Sequence, residues 1–125
     1  VRDFDPPWAV EATAQFEHAL ELNPKNLESY TNLGVIYRRL SRIPEAIRAF
    51  ESALSIDPEH AESHYNLALL LEGQGRIAEA LAHYLRFVAS AEPRHRSVVA
   101  RVIAHIQLLG QGTAGPSATR KSLAE

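Results

Sequence analysis

Few residues of this 125-residue chain combine a reactive type with a useful spacing. His60 and His64 are four apart, one helical turn, and two imidazoles on one face are the beginning of a zinc site. Such a site needs further ligands at matching spacing, and His18, His83, His95 and His105 are scattered, so surface histidines near a helix start are expected and no metal. The absence of cysteine removes thiolate ligands, disulfides and a cysteine nucleophile together. There is no Gly-rich phosphate loop, no Gly-x-Ser-x-Gly elbow and no enclosed pair of carboxylates, so no catalytic residue and no cofactor is expected. Arg94, Arg96 and Arg101 with His95 form the one local basic patch, and without interleaved aromatics it reads as solvated cover rather than an RNA surface. A net charge of -2 agrees with the absence of a nucleic-acid partner. The more informative pair is Asn32 and Asn66, 34 residues apart. Each amide offers a donor and an acceptor, the combination that pairs with a peptide backbone of any sequence.

The 34-residue interval runs through the chain. Residues 27–60 laid on 61–94 share eight identities, among them Asn32/Asn66, Leu33/Leu67, Arg42/Arg76 and Ala46/Ala80. Residues 12–24 laid on 46–58 share six in 13. Each unit reads as two helices. Tyr30, Leu33, Gly34 and Tyr37 form one stripe of 3.6-residue period in a helix over 27–40, and Ala46, Ile47, Phe50, Ala53 and Leu54 form another over 44–56. Pro44 suits the first turn of its helix, and Asp57-Pro58 ends the unit because a residue before proline avoids the helical region. The second unit predicts helices over 60–73 and 77–90, with Glu92-Pro93 closing it one residue late. Small Gly34, Ala46, Ala68 and Ala80 mark close helix crossings, with Tyr37, Phe50 and Tyr84 filling the space beside them.

The flanks differ. Asp5 before Pro6-Pro7 reads as the N-cap of a helix over 6–22, the second helix of a unit whose first is missing. Val98, Val99, Val102, Ile103, Ile106 and Leu109 predict a terminal capping helix, and 110–125 read as a disordered tail. Residues 1–62 carry 11 acids against 6 bases, and 63–125 carry 4 against 7, giving oppositely charged halves. No apolar run is long enough for a membrane span and no leader is apparent, so cytoplasm is the default compartment. A start at Val1 and the lack of methionine predict a piece of a longer protein.

These residues resemble the tetratricopeptide repeat. The first full unit matches its pattern with Tyr30, Leu33, Gly34, Tyr37, Ala46, Phe50, Ala53 and Pro58. The second matches with His64, Leu67, Ala68, Leu71, Ala80 and Tyr84, but has Phe87 for a small residue and Pro93 displaced by one. The half unit matches with Ala12, Phe16, Ala19 and Pro24. The resemblance implies an all-α fold, a right-handed superhelix of antiparallel helix hairpins with a C-terminal capping helix. The divisions are a 1–5 extension, a 6–24 half repeat, full units at 25–58 and 59–93, a cap at 94–109 and the tail. About three units are usually needed for stability, so the chain stands near the minimum.

Stacked hairpins of this family line a concave groove with their first helices, which suits an extended peptide or a helix of a protein partner. The corresponding stripe here is Glu28, Thr31, Asn32, Val35 and Arg39, then Glu62, Tyr65, Asn66, Leu69 and Glu72, then Arg101 with Ser97, Ala100 and Ala104. In protein-glycosylating N-acetylglucosamine transferases with similar repeats, a ladder of asparagines holds substrate peptides. The family's clamp for C-terminal carboxylates is not matched, since Thr31 and Val35 stand where its lysine and asparagine belong. A non-catalytic protein-binding module is therefore expected. The competing uses are a scaffold that self-associates into a homo-oligomer through Phe4, Trp8 and Phe16 beside the uncovered helix 6–22, and a substrate-recognition domain of a multidomain enzyme such as a glycosyltransferase.

Overall fold

The computed structural model describes residues 4–113. The described residues form six α-helices and no strand: α1 (Pro7–Leu22), α2 (Leu27–Arg39), α3 (Ile43–Ile56), α4 (Ala61–Gly73), α5 (Ile77–Ser90) and α6 (Arg96–Thr113). A single 3-10 turn, Pro93–His95, precedes α6. The chain divides into two compact units after Ser63.

The same punctuation ends α1 and α3. Asn23 and Asp57 each precede a proline and leave the helix in extended conformation, with φ of -145° and -132°. Each side-chain oxygen then accepts the N–H two residues on, Lys25 and Glu59, both at 3.1 Å. Asn26 caps α2 by accepting the Ser29 N–H at 3.0 Å. His60 holds the equivalent position, with Nδ1 2.7 Å from Ser63 Oγ, so this imidazole serves the start of α4. The turns inside the hairpins also match. Ser41 and Gly75 both take positive φ, 59° and 77°, and the next residue's N–H reaches back to the carbonyl of Tyr37 or Leu71.

In the first unit α2 and α3 cross so closely that a Cβ on Gly34 would stand 2.6 Å from the Phe50 ring. Phe50, Ala46 and Ala53 are fully buried, with Leu33, Ile36, Ile47 and Ala49 around them. α1 packs against α2 through the buried Ala9 and Thr13. The Thr13 hydroxyl has no hydrogen-bond partner among the described residues. Asp5 does not cap α1, contrary to the sequence expectation. Pro6 occupies the cap position, and the buried Asp5 carboxylate instead pairs with the buried Arg42 guanidinium from the α2–α3 turn. A buried guanidinium without a counter-charge would be costly, and Asp5 supplies it.

In the second unit Leu67, Ala68, Leu71, Ala80, Tyr84 and Phe87 form the core, and α6 lies on α5 with Val102 buried. α6 passes through Gly110, where the tail was expected to begin, and residues 114–125 lie outside the described residues. A helical glycine costs only about 1 kcal/mol against alanine, too little to stop a helix that is already propagating. His64 and His83 meet Nδ1 to Nδ1 at 3.0 Å, so one of these nitrogens must be unprotonated to accept the bond. Desolvation, and then the nearby His64, hold His83 below its ordinary value; Glu79 opposes the shift and Arg86 adds to it.

Three outcomes are expected in urea unfolding. Gly34→Ala lowers stability by about 1–2 kcal/mol, because overpacking against a ring that cannot swing away exceeds the helix-propensity gain. A neutral or stabilising result would contradict the close crossing. Thr13→Val raises stability by about 1 kcal/mol by removing an unpartnered buried hydroxyl, and a loss would show that the hydroxyl is satisfied. Because the folded value of His83 lies below the 6.5 of the free group, its contribution is complete above 6.5 and is lost as pH falls through the folded value. The wild-type midpoint should therefore fall more between pH 7.5 and 5.5 than that of His83→Gln, and equal falls would remove His83 as the cause.

Candidate functional site

α4 carries Tyr65, Leu69 and Glu72 at i, i+4 and i+7, which stacks them on one face. With Tyr84 from α5 and Val98, Arg101, Val102 and His105 from α6, this face builds a cleft of about 230 Å³ in the second unit. Tyr65, Leu69, Tyr84, Val98, Arg101, Val102 and His105 line it. Tyr65 is braced from below, its ring 5.1 Å from that of Phe87 and 6.3 Å from that of Tyr84.

One polar cluster holds the wall. The Glu72 carboxylate accepts the Tyr84 hydroxyl at 2.8 Å and lies 2.7 Å from His105 Nε2, which ties the end of α4 to α6. The Tyr84 ring meets that of His105 edge-on at 5.4 Å. Desolvation pushes the Glu72 carboxyl up, but the hydrogen bonds from His105 and Tyr84 outweigh it and leave it below its ordinary range. Burial, and then the carboxylate, hold the Tyr84 hydroxyl well above its ordinary value. Tyr84 is therefore a fixed donor and Glu72 a fixed acceptor at neutral pH. The cluster ties the end of α4 to α5 and α6.

The sequence-derived stripe is only partly assembled. Tyr65, Leu69 and Arg101 line the cleft and Glu72 anchors its wall. Glu62 is exposed and Asn66 half-buried on α4. On α2, Glu28 is exposed, and Thr31, Asn32 and Val35 are half-buried. The Thr31 hydroxyl turns back onto the carbonyls of Glu28 at 2.9 Å and Leu27 at 3.2 Å, so its donor is used within the helix. Arg39 lies over the Trp8 ring at 4.4 Å from the centroid, which joins a groove residue to a self-association residue in one cation–π contact. Phe4 is 79% exposed and Phe16 half-buried. Clefts in the first unit lie off the stripe, beside Tyr30 and Ser52.

On α6 the cleft residues are Val98, Arg101, Val102 and His105, whereas Ser97, Ala100 and Ala104 are exposed and line nothing in it. The cleft face of α6 is thus one residue on from the expected stripe, and a 3-10 turn at Pro93–His95 precedes the helix. Tyr84 and His105 went unrecognised as site residues. Tyr84 reads as core, and His105 gains meaning only through Glu72, 33 positions away. Among the described residues no group of three His, Cys, Asp or Glu could hold a metal ion, and no helix is long and apolar enough to cross a membrane.

No curated protein sequence matches the chain. Among solved structures, the Yersinia enterocolitica type III secretion chaperone SycD in complex with a peptide of the translocator YopD is similar. Its TM-score is 0.77 at 16% identity, over 84% of this chain and 82% of that one. PcrH in complex with the chaperone binding region of PopD gives 0.75 at 17% identity, over 84% and 80%. The first tetratricopeptide repeat domain of Spaghetti (RPAP3), bound to the HSP90 peptide SRMEEVD, gives 0.71 at 16%, over 86% and 81%. These likenesses show the all-helical repeat fold. The tetratricopeptide repeat pattern itself matches residues 11–59 and 31–94, which together take in most of the helical chain. With Gly34 closed against Phe50 and Tyr84 in the matching place of the next unit, the chain belongs to the tetratricopeptide repeat family.

Proposed function

We propose that the chain is a non-catalytic interaction module. It takes up an extended peptide or a helix of a partner protein along the first helices of its repeats, in the concave groove that stacked hairpins of this family form. One observation carries the reading: Tyr65, Leu69 and Arg101, placed on the groove stripe by the repeat resemblance and helical spacing, border a cleft of about 230 Å³. That is smaller than the roughly 300–1,000 Å³ of small-molecule sites and suits a single side chain. The peptide complexes of SycD, PcrH and RPAP3 support the same use of the fold. Asn32 on α2 and Asn66 on α4 offer backbone-directed contacts, one in each unit.

A second reading, self-association, is favoured by the exposure of Phe4, 79%, and Trp8, 41%, near the start of the chain. Light scattering at high concentration and low salt decides it: a strict monomer removes it, and concentration-dependent growth supports it.

The groove reading is tested by capture of peptides from a cellulose-bound array. Asn32→Ala with Asn66→Ala should weaken captured peptides at least tenfold while the helical circular-dichroism spectrum is kept. An unchanged capture pattern would contradict the groove.

A further inference from the structure

We infer that the cleft of the second unit selects a partner segment with one large apolar side chain next to an internal acidic residue. This deepens the groove reading and rests on it. The floor and sides of the cleft are Tyr65, Leu69, Tyr84, Val98 and Val102, an apolar socket for one side chain. Leu69 is 37% exposed, too open to be spoken for by the core alone. The polar members of the lining are Arg101 and His105 on α6 and the hydroxyls of Tyr65 and Tyr84.

Of these, the Tyr84 hydroxyl and His105 Nε2 are both turned to the Glu72 carboxylate, at 2.8 and 2.7 Å. Arg101 is the exposed member and has no ion pair among the described residues. The one carboxylate held at the cleft wall, Glu72, is engaged by Tyr84 and His105. From Pro93 to Thr113 the chain has Arg94, Arg96 and Arg101 and no acidic residue. Arg101 is therefore a cation at the rim of the socket with no ion pair among the described residues. A guanidinium at the rim of an apolar pocket complements a carboxylate adjacent to the anchoring side chain, and the charge excludes basic segments in the same place.

The acid is internal because a C-terminal carboxylate is held by several converging cationic donors, and Arg101 is the one guanidinium in this lining. The rim contact is solvent-exposed, so it contributes selectivity and salt dependence more than affinity.

The test pans a random dodecapeptide phage library, displayed with both ends blocked by flanking sequence, on the full chain. Enriched peptides are then synthesised and measured by fluorescence anisotropy. The expected consensus has an aromatic or large aliphatic residue within two positions of Asp or Glu. Exchange of that acid for its amide, or Arg101→Gln, should weaken binding three- to tenfold at low salt. Arg101→Lys should retain most of it, and Leu69→Asp should weaken it at least tenfold. Peptides that bind equally well to Arg101→Gln and Leu69→Asp but lose binding on Asn32→Ala with Asn66→Ala overturn the cleft and leave the groove standing. A basic consensus, or binding only by peptides with a free C-terminal acid, also overturns it. Failure to enrich any peptide above a scrambled pool overturns both readings. Circular dichroism of each variant, matched to the wild type, assigns any loss to the contact rather than to folding.

Discussion

The fold turns on the crossing of α2 and α3, where the Phe50 ring lies against the backbone of Gly34 with no room for a methyl group. Once that ring is seated, its neighbours Leu33, Ile36, Ala46 and Ala53 are committed to the same interface, and the turn between the helices must be short. The second unit repeats the arrangement with fully buried Ala68 and Ala80 around Tyr84. That exchange of Phe for Tyr has a consequence beyond packing. A buried phenol needs a hydrogen-bond acceptor, Glu72 provides it, and the same carboxylate then takes His105 from α6. The core of one hairpin thus fixes the helix that completes the cleft.

The two units treat an equivalent arginine differently. Arg42 is buried and needs Asp5, a residue 37 positions earlier, whereas Arg76 remains at the surface and pairs with Glu79 one turn away. The first contact joins the start of the chain to the hairpin turn, and Trp8 beneath Arg39 adds a second tie nearby. The start of α1 is therefore held by specific polar contacts as well as by Ala9 and Thr13.

Most of the architecture was legible in the sequence because the repeat period, the small residues at helix crossings and the residues before proline each have one physical meaning. Helices α1 to α5 begin and end within a residue of where periodicity and turn chemistry place them. The departures occur where a long-range partner overrides a local rule. Asp5 is a good cap by type, but Arg42 claims its carboxylate. Gly110 reads as a helix end, but α6 runs through it. The site was half legible. Tyr65, Leu69 and Arg101 follow from helical spacing once the repeat resemblance names the groove face, while Tyr84 and His105 depend on hydrogen bonds to Glu72 from side chains far apart in the chain, which no periodicity encodes.

The central claim is that the face of α4 and α6 around Tyr65, Leu69 and Arg101 receives a partner's side chain. Its most direct measurement is a 15N–1H chemical-shift titration of the chain with a binding peptide. The account predicts that the largest shifts cluster at Tyr65, Leu69, Val98, Arg101 and His105, with smaller ones near Asn66. Shifts concentrated on the outer face of α1, or at the clefts beside Tyr30, would contradict it.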